Sequence, residues 1–361
     1  QACALATTFA APMLPLVIAL TAAAVQFPSR IVVAGSSGRV GTRVVRTLLE
    51  RTDADVVALT RSPASEDKLR EGLGATAKAA GTRLEVVRCD LRDGRKMQRI
   101  TEGADSAIWC ATGFSDGSST LNKLKGLFNL YRGKTVDVDG LGNLGACMRK
   151  QREDRDGSGD FLDVVMCSSA GVTRPQWSEA KQAQFPGAAD IPIVRLNPFG
   201  ILDQKRESEE VLRETGCRYA ILRPTGLNDE WPTGRPIISQ GDVAVGRINR
   251  DDVAELLCAL VAEPAALGKT VEAMSVPGYP KFRSLGKTFE NLATDEELAA
   301  QGGTLSPAEL QRQYDLLQQL LPGETGDAAA LAMGQTYEQL DRGEVGRLGE
   351  RGTEVAPLVR Q

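Results

Sequence analysis

Residues 30–49 read Arg30-Ile31-Val32-Val33-Ala34-Gly35-Ser36-Ser37-Gly38-Arg39-Val40-Gly41-Thr42-Arg43-Val44-Val45-Arg46-Thr47-Leu48-Leu49. The β-branched run Ile31 to Ala34 predicts a strand. Val40, Val44, Val45, Leu48 and Leu49 then recur at helical spacing. Between them lies Gly35-x-x-Gly38-x-x-Gly41, so the order is strand, glycine-rich turn, helix. Glycines allow a tight turn and close backbone approach, and the helix N-terminus that follows faces a phosphate. A glycine triplet alone says little, but in this context it marks a dinucleotide site built from Gly35, Ser37, Gly38, Arg39, Val40 and Gly41.

Working outward, Asp55 to Thr60 predicts a second strand that ends in Arg61. An acidic residue there would bind the ribose 2′-hydroxyl of NAD, whereas Arg suits the 2′-phosphate of NADP. Arg39 offers a second cation for the same group, so NADP(H) is favoured and NAD(H) is the alternative. A third strand, Leu84 to Leu91, places Asp90-Leu91 beside an adenine. A fourth, Ser106 to Gly113, ends in Ala111, Thr112 and Gly113, small residues where a nicotinamide ribose can lie. A fifth, Leu162 to Cys167, runs into Ser168-Ser169, and a sixth, Tyr219 to Leu222, into Arg223-Pro224. Strands alternating with helical stretches predict an α/β, Rossmann-like, doubly wound parallel sheet with helices on both faces.

The composition narrows the chemistry. The 361 residues carry 43 Lys+Arg against 47 Asp+Glu, a net charge of −4, which gives no reason to expect nucleic acid as a ligand. Histidine is absent from the whole chain. That excludes a Ser-His-Asp triad, a Cys-His pair and His-ligated zinc. The seven cysteines form no C-x-x-C pair, so neither a disulfide framework nor a metal site is expected, and a reducing compartment is favoured.

The glycine turn, Asp90-Leu91, Ser168-Ser169, Lys205 with Glu209-Glu210, and Arg223-Pro224 resemble the atypical short-chain dehydrogenases/reductases. Among these the chain is similar to the NmrA-like, NAD(P)-binding branch of plants and cyanobacteria. Leu196 to Lys205, and Gly241-Asp242 with Gly246 to Glu255, are similar to a plastid subgroup that assists photosystem II biogenesis at the thylakoid. The resemblance covers roughly Arg30 to Val276. Active members of the superfamily use a Ser, a Tyr and a Lys, with the Tyr four residues before the Lys. By that pattern Ser168 or Ser169 takes the Ser place and Lys205 the Lys place, leaving Ser169 and Lys205 as the catalytic candidates. Ile201, which transfers no proton, stands where the Tyr belongs. The pattern also gives Lys205 a role at the cofactor ribose; the competing reading is a surface Lys paired with Glu209 at helical spacing. Tyr219 reads as a core residue.

The two ends lie outside the resemblance. Residues 1–29 carry no charge and predict a membrane anchor or docking arm; a cleaved targeting segment and a buried element are the rival readings. Residues 30–280 form the dinucleotide domain with a small substrate-side region, and residues 281–361 a helical extension. Within the extension, Ser306-Pro307-Ala308-Glu309 predicts a capped helix start, and Asp327 to Leu340 a further helix. The insertion Phe114 to Arg132 falls near the cofactor mouth. Three functions follow as expectations: an NADP(H)-binding assembly factor or accessory subunit of a photosynthetic complex at the plastid thylakoid; an NADPH-dependent reductase of a small apolar substrate; or an accessory subunit of a respiratory complex at the mitochondrial inner membrane.

Overall fold

A computed structural model describes residues 27–112, 135–155, 159–197, 200–277 and 284–320. The insertion Phe114 to Arg132, the expected helix Asp327 to Leu340 and residues 1–26 of the apolar segment lie outside these. Eight strands form the main sheet: β1 (Arg30–Ala34), β2 (Asp55–Thr60), β3 (Leu84–Arg88), β4 (Ser106–Trp109), β5 (Val164–Cys167), β6 (Tyr219–Pro224), β8 (Gly234–Ser239) and β10 (Lys269–Pro277). Their order is β3-β2-β1-β4-β5-β6-β10-β8. The six strands expected from the sequence are the first six in that order and all pair in parallel. The chain reverses direction across the sheet between β1 and β4, and crevices for ligands open at such a point.

The strands are continuously apolar because helices cover both faces. Ile31 and Val33 point to one side, where Val44, Val45 and Leu48 of helix Arg39–Arg51 meet Val253, Leu256 and Leu257 of helix Arg250–Leu260. Val32 and Ala34 point to the other, against Leu144 and Met148 of helix Leu141–Asp154 and Leu212 of helix Ile201–Glu214. Burying a side chain of this size contributes about 1.5–3 kcal/mol, so each face is held by many such terms.

Two strands of the main sheet escaped the sequence reading, as did a separate short pair. β10 joins β6 in parallel, and β8 runs antiparallel to β10 at the sheet edge. Pro236 sits within β8, a position open to proline because an edge strand has one unpaired side. A separate pair, β7 (Gly226–Leu227) and β9 (Arg247–Ile248), lies nearby in sequence.

The extension packs on this added edge. Helix Pro307–Gln319 starts in the expected capping box of Ser306 and Glu309. Its Leu310 and Leu317 are buried with Trp177, Phe185, Val243 and Met274. Helix Asp295–Ala300 has its own capping box from Thr294 and Glu297. Asp295 accepts from Thr270 N, Thr270 Oγ1, Arg213 Nε and Tyr219 Oη. Residues 284–320 are thus part of the same packed unit as the sheet. No helix of the described residues is long and apolar enough to cross a membrane.

Candidate functional site

The glycine turn is decided by contacts that leave no room for side chains. Gly35 follows β1 at φ +76°, and a Cβ there would lie 2.5 Å from Ala111 N. Gly41 takes ordinary helical backbone, but a Cβ would sit 2.2 Å from the Gly35 carbonyl oxygen. Gly38 N donates to that same oxygen at 3.0 Å and closes the turn. Ser36 Oγ fastens the turn to β2 by donating to Leu59 O. Gly38 caps helix Arg39–Arg51 with no side-chain acceptor, and no acidic residue stands in the first turn. The neighbouring helices Pro63–Leu73 and Gly94–Ile100 are capped by Ser62 and Asp93 instead. The first helix therefore presents uncapped N–H groups and a positive dipole end to the crevice, which is what a pyrophosphate needs.

The cleft at the start of the first helix is mostly basic. Arg39, Arg43, Arg46 and Lys68 line a space of about 350 Å³ with Ser37, Gly38, Thr42, Gly72 and one carboxylate, Glu71. Arg43 is held by Asp229 and Asp251, at 3.2 and 3.0 Å. Arg61 is exposed directly after β2, outside the residues lining that cleft, and Thr60 before it is buried with no hydrogen-bond partner for its hydroxyl. Lys68 escaped the sequence reading: only the packing of helix Pro63–Leu73 on the first helix brings it to this cleft. After β3, Asp90 is exposed and forked by Arg92, through Nε at 3.0 Å and Nη2 at 2.7 Å. A side-chain hydrogen bond from Arg92 holds its carboxyl below the usual range. Leu91 packs beside Trp109 and Gly140.

At the exits of β4 and β5, Ala111 is buried against Gly35 and Thr112 is exposed; Gly113 lies outside the described residues. Ser168 is buried, and its hydroxyl donates to Glu209 Oε1 at 2.6 Å. Ser169 is half-buried and donates to the Ala170 carbonyl. Lys205 lies in the first turns of helix Ile201–Glu214, near enough to Cys110 and Cys167 for its charge to oppose the burial that raises both thiol pKa values. The reading of Lys205 as the ion-pair partner of Glu209 is corrected here. Glu209 turns inward, accepting from Arg223 Nε and Nη2 at 2.9 and 2.6 Å and from Arg213 Nη2 at 3.3 Å. A fully buried carboxylate needs charged donors, and a guanidinium fork meets both its oxygens better than one ammonium does. Ile201 opens the helix where the proton donor would stand. Tyr219, expected in the core, is half-buried against its edge with its hydroxyl satisfied: it donates to Asp295 at 3.0 Å, and burial pushes its pKa well up.

Strand order 3-2-1-4-5-6, the switch point and the uncapped helix define a Rossmann-like dinucleotide fold. A family model described as NAD(P)H-binding matches residues 35–264, and the chain belongs to that family. It is 28% identical over 255 residues to an uncharacterized chloroplastic protein of Arabidopsis thaliana, covering 70% of this chain and 79% of that protein. It is 28% identical over 266 residues to Protein TIC 62, chloroplastic, of the same plant, covering 69% of this chain and 36% of that much longer protein. A solved structure of a putative NAD-dependent epimerase/dehydratase from Bacillus halodurans is similar at 21% identity and a TM-score of 0.48, over 73% of this chain and all of that one.

Proposed function

We propose that this chain holds NADP(H) as a structural or regulatory ligand, in a plastid, as an accessory subunit or assembly factor of a photosynthetic membrane complex. In this reading Gly35, Ser37, Gly38, Val40 and Gly41 receive the pyrophosphate, and Arg39 and Arg61 the 2′-phosphate. Asp90 and Leu91 flank the adenine, while Ala111, Thr112 and Lys205 meet the nicotinamide ribose. When bound, the dinucleotide supplies hydride chemistry; a reductase must also supply a proton. The observation that carries the proposal is the state of the proton machinery. Ile201 occupies the tyrosine place, and the Ser168 hydroxyl is committed to a buried Glu209. Plastid residence is supported by the chloroplastic relatives, and thylakoid association by the uncharged residues 1–29.

The test is gentle solubilisation of native membranes followed by a sizing gradient. The expected result is comigration with a pigment–protein complex. Migration at monomer or dimer size, with Lys205-dependent oxidation of NADPH by a small carbonyl or quinone, overturns it. Comigration with respiratory activity overturns the photosynthetic assignment. One observation favours the reductase as the second reading: Ser169 stands half-buried at the crevice, its hydroxyl engaged among the described residues by the adjoining Ala170 carbonyl.

A further inference from the structure

We propose that Cys110 and Cys167 form a redox-active dithiol at the floor of the crevice, closing to an intrachain disulfide by exchange with glutathione disulfide or a protein dithiol–disulfide carrier. The register of β4 and β5 brings them together. Ala107, Ile108 and Trp109 pair with Val164, Val165 and Met166, so the next residues in step are Cys110 and Cys167. Side chains alternate along a strand, which puts both sulfurs on the face of Ile108 and Val165. Neighbouring strands lie about 4.8 Å apart, inside the Cα window of about 4.4–6.8 Å that a disulfide spans. Backbone bonds fix both positions: Cys110 N donates to Ala34 O at 2.9 Å, and Ser168 N to Leu222 O at 2.7 Å. Both residues are half-buried, packed at the edge of the core cluster. Ala111, next to Cys110, touches Gly35, which puts the pair under the glycine turn.

The charges around the pair agree with this placement. Burial pushes the Cys110 thiol well up, the charges of Cys167 and then Cys258 push it further, and Lys205 opposes them. Burial takes Cys167 to about 11, again against Lys205. Cys258, the third thiol near the pair, is buried on helix Arg250–Leu260 and faces Val44 O. Exchange at the pair is therefore slow at neutral pH and faster as pH rises, because the thiolate is the attacking form. In the balanced step, one cysteine thiolate attacks the carrier disulfide and releases one carrier thiol. The second cysteine then attacks the mixed disulfide at the protein sulfur and releases the other. The chain loses two electrons and two protons, and the carrier disulfide gains both.

The experiment incubates the full chain with glutathione and glutathione disulfide at graded ratios, blocks free thiols, and maps peptides by mass. The expected result is a linked Cys110–Cys167 peptide, lighter by two hydrogens and reversed by dithiothreitol. Cys110→Ser and Cys167→Ser each abolish it and leave the remaining cysteine carrying glutathione, while Cys258→Ser leaves the link intact. Separate glutathione adducts on Cys110 and Cys167 of the unaltered chain overturn the proposal. So does a link from either residue to Cys258 or Cys3. Bridging by phenylarsine oxide without any disulfide also overturns it, since the sulfurs would then be close but unable to join. The map of the unaltered chain decides the matter even if a variant fails to fold.

Discussion

Replacing Glu209 by Gln keeps the shape of the side chain and removes its charge. In the folded chain Glu209 is wholly buried and accepts four hydrogen bonds, from Ser168, twice from Arg223 and from Arg213. An amide keeps one acceptor and turns two N–H groups toward guanidinium donors, so Arg223 loses the carboxylate that forks it and is left with the more loosely placed charges of Asp242 and Glu272. Breaking one side of such a pair costs about 3–5 kcal/mol. At about 2–4 °C per kcal/mol for a domain of this size, the melting midpoint falls by roughly 6–20 °C. Urea unfolding followed by circular dichroism at pH 7 measures the loss, with the slope unchanged. The pH dependence has a definite sign. Burial alone would raise the Glu209 pKa, but Arg223, helped by Arg213 and Ser168, outweighs burial and holds it below the ordinary 4.5. A depressed folded pKa contributes stability that is complete above the unfolded value and lost as pH falls through the folded one. The gap between the two proteins is therefore full at pH 7 and narrows only below about pH 4.5. A loss under about 1 kcal/mol at pH 7, or a gap that widens in acid, refutes the assignment of Glu209 as the charge that anchors this network.

Four further outcomes are expected. Gly41→Ala places a methyl 2.2 Å from the Gly35 carbonyl oxygen; it weakens NADPH binding by at least about tenfold, while the gain in helix propensity of about 1 kcal/mol limits the loss of fold stability. Fluorescence titration of NADPH checks it, and unchanged affinity contradicts the close approach. Arg61→Asp weakens NADPH more than NADH by roughly tenfold, the worth of one charge-assisted hydrogen bond; equal losses in paired titrations mean that Arg61 does not read the 2′-phosphate. Leu317→Ala, in the buried face of the last described helix, costs about 2–5 kcal/mol in chemical unfolding if the extension is part of one cooperative core. Ser306→Ala removes the cap and costs about 1 kcal/mol in the same assay.

The crevice was legible in the sequence because its parts are local. A β-branched run, three glycines at fixed spacing and a helical apolar stripe each state their own conformation, and the Asp90-Leu91 exit of β3 and the small exit of β4 follow by the same alternation. The helix at Pro307 was legible for the same reason, since its capping box closes within four residues. β8 and β10 were not legible. Their half-apolar segments gain strand character only from pairing with β6 and with each other, and strand preference depends on such neighbours more than on the segment itself.

The side-chain partners divide along the same line. Helical spacing offered Glu209 to Lys205, but of its partners only Arg213 lies at that spacing; the closer ones are Ser168, 41 residues away, and Arg223, on a strand 14 residues on. Asp295 likewise joins Arg213 and Tyr219 across 82 and 76 residues, fixing the extension to the sheet. By itself, then, the sequence determined the doubly wound core, the dinucleotide turn and the missing tyrosine, because each depends on residues near one another in the chain. Only the tertiary structure decided which charges are buried together, what the extension covers and which two cysteines share a floor, because burial and pairing belong to surfaces that the folded chain alone brings into contact.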